Sequence, residues 1–280
     1  MEKKYKLGVI GAGFMSSAII SGAISSKVLD PSDIIVSDKS EISLEKMSKK
    51  GVTVTENNLT VANSSEFVLF AVKPQNFDEV ANSIKISYCH KFITIMAGVK
   101  KAKVKSALGN VMVARCMPNT PCSIGFGAIG IDVSDYIDEN DRKFIQNLFS
   151  SLGKVRFVDE SLLNAVTGIS GSSPAYFYLF LKGIIESGVK NGLSYDDAKT
   201  LATATMICNA QNGREKIEKT LHELVLKNEE KTLDDLITAV SSKGGTTIEA
   251  INVYKSANLD DITDKAVKAC ISRAAELENL

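Results

Sequence analysis

Through the first half of the chain, short β-branched and aromatic runs alternate with stretches of helical spacing. The runs Leu7 to Ile10, Ile34 to Val36, Val52 to Val54, Phe67 to Val72, Phe92 to Met96, Val111 to Cys116, Ala128 to Ile131 and Val155 to Val158 read as strands. Several are almost continuously apolar, the pattern of strands whose sheet is covered by helices on both faces. Alternation of this kind predicts repeated βαβ units around a parallel, doubly wound α/β sheet.

The strand signals stop near Glu160 to Asn164, and only helical patterns follow. The expected organisation is an α/β domain over 1–162 and an all-α domain over 163–280. Ser173-Pro174 supplies a cap and a first-turn proline for a helix from Ala175 to Gly188. Ser194 caps a further helix with Asp196 and Asp197 in its first turn, ended by Gly213. The run Tyr176 to Leu181 is apolar all round, so that helix must be covered on every side, either by its own domain or by a second subunit.

Charge removes some classes of partner. The 33 basic and 33 acidic residues of this 280-residue chain cancel and are spread along it, so no footprint for nucleic acid or an anionic membrane is present. Met1 to Lys6 is polar and leads straight into a strand, and no apolar run reaches the roughly 18 residues of a membrane span, which makes the cytoplasm the expected location. The five cysteines form no C-x-x-C pair and suit a reducing compartment, and the two histidines, His90 and His222, have no second ligand at metal spacing. No metal is expected.

Candidate chemistry begins directly after the first strand. Gly11-Ala12-Gly13-Phe14-Met15-Ser16 opens a helix, and its glycines allow a tight turn and close approach of a pyrophosphate to backbone N–H groups at the positive helix end. The second strand runs out at Ser37-Asp38-Lys39-Ser40, where a dinucleotide fold meets the adenosine ribose. Asp38 there suits a free 2′-hydroxyl, whereas Ser37, Lys39 and Ser40 suit a 2′-phosphate, so the residues point both ways. Ala71-Val72-Lys73-Pro74 and Met96-Ala97-Gly98 follow the fourth and fifth strands, at ends where ligands of such sheets bind.

Three later blocks, Met117-Pro118-Asn119-Thr120-Pro121, Ser170 to Tyr176 and Val240 to Ala250, resemble the pyrroline-5-carboxylate reductase family in residues, order and spacing, and the resemblance extends over essentially the whole chain. It implies a Rossmann domain followed by a helical domain that interlocks two subunits, with dimers that assemble into decamers. It further implies NADPH, alternatively NADH, as cofactor, pyrroline-5-carboxylate as substrate and L-proline as product. By position, Ile10, Gly11, Ala12, Gly13, Phe14, Met15, Ser37, Asn58, Ala71, Val72, Lys73, Pro74 and Ala97 resemble the family's cofactor contacts, and the strand-end reading adds Asp38 and Lys39 to them. Ser242, Gly245, Thr246 and Thr247 resemble its substrate site, with Glu160 matching an acidic position nearby and Thr247 the group beside the ring nitrogen. Phe14, Ser16 and Lys243 depart from the family's usual residues.

The third block has a physical reading of its own. Thr246-Thr247-Ile248-Glu249 has capping-box spacing after a double glycine, so a carboxylate could lie against the exposed N–H groups and Ser242 while the Thr247 hydroxyl meets a ring nitrogen. An ordinary capped helix has the same spacing. The β-hydroxyacid dehydrogenases fit less well, since Ser170 to Leu181 lacks their catalytic lysine and Lys182 comes late. A nicotinamide-sensing regulator would explain the first domain but leave Gly244 to Thr247 without a role.

Overall fold

The computed structural model describes residues 4–85, 87, 89–133, 137–207 and 246–278. Eight strands form one sheet: β1 (Tyr5–Ile10), β2 (Ile34–Ser37), β3 (Thr53–Thr55), β4 (Ser65–Phe70), β5 (Lys91–Thr94), β6 (Met112–Met117), β7 (Gly127–Asp132) and β8 (Gly153–Phe157). Their order is β3-β2-β1-β4-β5-β6-β7-β8, so the chain turns from one side of β1 to the other between β3 and β4. The crevice beyond the carboxyl ends of β1 and β4 is therefore the switch point at which such sheets bind ligands.

All eight expected strands are present, and one pairing differs from the all-parallel expectation: β7 runs antiparallel to β6. The connection explains it. After Met117 the chain makes a short 3-10 turn, Thr120–Ile124, and reverses at Gly125 in the left-handed region (φ 79°), which is too short a path for a parallel crossover.

Helices α1 (Phe14–Ser25), α2 (Glu41–Ser48), α3 (Asn58–Ser64), α4 (Phe77–Ile84), α5 (Lys101–Leu108) and α6 (Glu139–Ser150) cover the two faces. The period of two along each strand sorts the side chains. Phe67 and Leu69 of β4 join Ile19, Ile20 and Phe149 on one face. Val68 and Phe70 join Val61, Phe77 and Val104 on the other. There Phe70 stacks on Phe92 (centroids 5.3 Å apart) and meets Phe77 edge-on at 5.7 Å.

Beyond Phe157 no strand occurs among the described residues. A short helix, α7 (Leu163–Val166), passes into a π-helical turn, Thr167–Gly171, and then α8 (Ser173–Lys190), α9 (Tyr195–Ile207), α10 (Thr246–Ser256) and α11 (Leu259–Leu277) follow. Ser194 caps α9 as expected, accepting from the Asp197 N–H at 3.1 Å, while Gly213 lies outside the described residues. By its internal packing the chain forms two units, Met1–Pro174 with Val267–Leu280, and Ala175–Ala266. In the second unit the apolar helix α8 is bare on one side: Phe177, Tyr178 and Leu179 are all exposed, Leu179 by 71%. Of the two covers expected, the described residues of its own domain do not supply one. No helix of the described residues is long and apolar enough to cross a membrane.

Candidate active site

The loops after β1, β2 and β4 are locked together by backbone hydrogen bonds. The Gly11 N–H donates to the Ser37 carbonyl at 2.8 Å and the Ala71 N–H to the Ile10 carbonyl at 2.9 Å. Gly11 has φ +105°, and a Cβ on it would lie 2.7 Å from the Ala71 carbonyl oxygen, so only glycine is accommodated. Gly13 differs. A Cβ on it would have no neighbour within 4 Å, which leaves its backbone open to a ligand at the start of α1 and fits the pyrophosphate of a dinucleotide. Ser16, a departure in the sequence, is buried and donates to the Gly13 carbonyl at 3.0 Å, so a small polar residue holds the turn there.

Of the expected cofactor contacts, Ile10, Gly11, Ser37, Asp38, Lys39, Asn58 and Val72 line one solvent-open pocket of about 160 Å³. Asp38 has a role the sequence did not suggest: its Oδ2 accepts from the Ala12 N–H at 2.6 Å and its Oδ1 from the Ser40 N–H at 2.8 Å, tying the glycine loop to the start of α2. Ser37 donates to Asn58 Oδ1 at 2.8 Å, and Lys39 pairs with Glu79 at 2.5 Å. Ala12, Gly13 and Phe14 line an adjoining groove of about 570 Å³ with Lys46 and Lys50. Met15 packs against the core, and Lys73, Pro74 and Ala97 do not line the adenosine-side pocket.

The first two family-like blocks meet. Asn119, buried at the end of β6, donates through Nδ2 to the Ser170 carbonyl at 3.0 Å and accepts at Oδ1 from the Ala128 N–H at 3.0 Å. Ser170 sits in the π-helical turn, closed by the Ser172 N–H donating to the Thr167 carbonyl at 2.8 Å, and such turns recur at functional sites. In the third block, Thr246 and Thr247 begin α10, while Ser242 and Gly245 lie outside the described residues.

Glu160 stands in a group of buried charges. Its Oε1 accepts from the Lys101 N–H at 2.7 Å and from Arg115 Nη1 at 3.4 Å. Arg115 is 1% exposed and also pairs with Glu278, Nη2 to Oε1 at 3.0 Å. Burial alone would raise the Glu278 carboxyl, but Lys100, Arg115 and Asn164 outweigh it and hold the group below its ordinary value. Sequence reasoning passed over Arg115, although a cation inside the run Val111 to Cys116 was a signal, because a buried charge needs a partner.

Comparison with known proteins extends this geometry. The pattern described as pyrroline-5-carboxylate reductase dimerisation matches residues 160–277, and one described as NADP oxidoreductase coenzyme F420-dependent matches 6–98. The pyrroline-5-carboxylate reductase of Haemophilus influenzae is 33% identical over 98% of both chains. The chain belongs to the pyrroline-5-carboxylate reductase family. Among solved reductases of the family, that of Coxiella burnetii is 29% identical with a TM-score of 0.85, covering 98% of this chain and 99% of its own. The Plasmodium falciparum reductase, solved with NADP bound, is 25% identical with a TM-score of 0.83 over 99% and 100% of the two chains. In this reductase fold the dimerisation pattern begins at Glu160, the carboxylate tied to Lys101 and Arg115.

Proposed function

We propose that this chain reduces 1-pyrroline-5-carboxylate to L-proline with a nicotinamide cofactor. The observation that carries the reading is its end-to-end match to reductases of that name, at 33% identity over 98% of the chain. The crevice beyond β1 and β4, with an open Gly13 and a pocket at Ser37 to Lys39, suits the dinucleotide. NADPH is the preferred form, supported by the NADP oxidoreductase pattern and the NADP-bound relative, with NADH as the alternative.

The reduced nicotinamide supplies the hydride for the ring carbon of the C=N bond, and the nitrogen gains a proton. The chain's own residues place and charge the reactants. Ile10 to Met15, Ser37 to Lys39, Asn58, Ala71 to Pro74 and Ala97 hold the dinucleotide. Ser242, Gly245 and Thr246 hold the substrate carboxylate against N–H groups at the start of α10, with Glu160 on the pocket's acidic side. The Thr247 hydroxyl meets the ring nitrogen, either donating to it or stabilising an iminium already formed. Residues 1–162 act as the nucleotide-binding domain and 163–280 as the substrate and dimerisation domain. The exposed side of α8 pairs two subunits in the cytoplasm, and such dimers build a decamer.

Cofactor absorbance followed with pyrroline-5-carboxylate, other cyclic imines and 3-hydroxy acids tests the reading. Oxidation of reduced cofactor only with the cyclic imine acid is expected; turnover of 3-hydroxy acids without imine reduction would overturn it.

A further inference from the structure

We propose that Glu278, just beyond the end of α11, is a positioning residue for the reaction: it holds the loop between β5 and α5, residues 95–100, against the nicotinamide half of the crevice. This rests on the reductase reading above. In a doubly wound sheet the two halves of a dinucleotide lie on either side of the switch point. The adenosine side is the pocket at Gly11, Ser37 and Asp38. The nicotinamide side then falls at the carboxyl ends of β4, β5 and β6, where residues 95–100 leave β5.

That loop is held from the far end of the sequence. Gly98 has φ +76°, and a Cβ on it would lie 2.9 Å from Leu277 Cβ and 3.0 Å from the Leu277 carbonyl carbon, so the two backbones are in apposition. One residue on, the Glu278 carboxylate bridges Lys100 Nζ and Arg115 Nη2, each at 3.0 Å, with its side chain only 7% exposed. The same end of the loop is held further by Glu160 Oε1 at the Lys101 N–H and by the Lys101 and Asp132 pair. Glu278 thus fastens Lys100, where the loop meets α5, to β6 through a guanidinium that is itself buried. Such an ion pair constrains geometry because Arg115 is buried and, among the described residues, its charge is matched by Glu160 and Glu278. The ion pairs on the exposed side of the same helix, Arg273 with Glu276 and Lys265 with Asp261, lack that constraint.

The test uses the full-length protein and three substitutions, Glu278→Gln, Glu278→Asp and, as control, Glu276→Gln. Binding of the reduced dinucleotide and of 2′-phospho-ADP-ribose, which lacks the nicotinamide, is measured by titration calorimetry beside kcat and KM. Glu278→Gln is expected to weaken the whole dinucleotide by about fivefold or more and to lower kcat on the order of tenfold, leaving the ADP-ribose fragment unchanged. Glu278→Asp should recover part of both losses, and Glu276→Gln should match the parent. Should Glu278→Gln fail to fold, Lys100→Met cuts the outer arm of the same bridge and should give the same selective loss in smaller measure. Equal weakening of dinucleotide and fragment, or a lowered melting temperature with both affinities and kcat intact, would overturn the proposal. Absence of imine reduction by the parent protein would instead sink the reductase reading, and the two titrations would still decide the role of Glu278.

Discussion

Two four-residue runs of nearly the same composition have opposite surroundings. Phe67-Val68-Leu69-Phe70 in β4 is fully buried, whereas Phe177-Tyr178-Leu179-Phe180 in α8 is exposed throughout. In the strand, alternate side chains go to opposite faces and each face has a helical layer. In the helix the same four residues sweep most of the circumference, at about 100° each, so a cover on one side cannot hide them. Phe180 reaches the Tyr254 ring at 5.9 Å, but Phe177 to Leu179 face outward. An apolar run therefore announces that burial is required, and the period decides how many neighbours must provide it.

The largest effect should come from charging the uncovered run. Leu179→Asp places a carboxylate where the proposed second subunit would pack, and is expected to leave a monomer at micromolar concentration with loss of most activity, read by sedimentation and imine reduction. A variant that stays dimeric and active would break the contrast. Next, Phe70→Ala should destabilise the first unit by about 3–5 kcal/mol in denaturant unfolding, through lost stacking on Phe92 and the cavity left behind, without altering subunit assembly. If Phe177→Ala matched that cost in the isolated monomer, exposure of the second run would be refuted.

A third substitution separates chemistry from cover. Thr247→Val keeps the β-branched shape at the start of α10 and removes only the hydroxyl, so kcat/KM should fall by roughly 1–3 kcal/mol in transition-state terms while assembly and unfolding stay at parent values. Parent-like kcat/KM would reduce the Gly244 to Thr247 segment to a helix cap.

The smallest effect belongs to the rim of the covered region. Burial would raise the Glu66 carboxyl, but hydrogen bonds from Lys6 at 2.7 Å and Lys91 at 3.1 Å bring it below its ordinary value. A carboxyl depressed in the folded state adds stability that is complete above its unfolded value of about 4.3 and is lost as pH falls through the lower folded value. The unfolding free energy of Glu66→Gln should therefore lie below the parent's at neutral pH and converge with it in acid. A constant gap across pH 2 to 7 would show that the carboxylate charge is not involved.

The contrast also shows what a sequence can carry. The strands were legible because runs such as Phe67 to Val72 are apolar beyond what a one-sided element allows. The direction of β7 was not, since period two is the same for parallel and antiparallel pairing and only the short turn at Thr120–Ile124 decides it. Ser37 to Lys39 was legible as a place and not as a mechanism. The Asp38 carboxylate could be weighed against a ribose, but its bonds to the Ala12 and Ser40 N–H groups depend on how the glycine loop closes. The partnership of Arg115 with Glu160 and Glu278 joins segments remote in sequence, and no local period encodes it.

The π-helical turn at Thr167–Gly171 holds one residue more than an α-turn of the same role. The wider turn absorbs that residue locally, so removing it and restoring α-helical winding would leave the later side chains of that helical path close to their present phase. A relative one residue shorter here would keep the phase of α8 and lose only the local turn that presents the Ser170 carbonyl to Asn119.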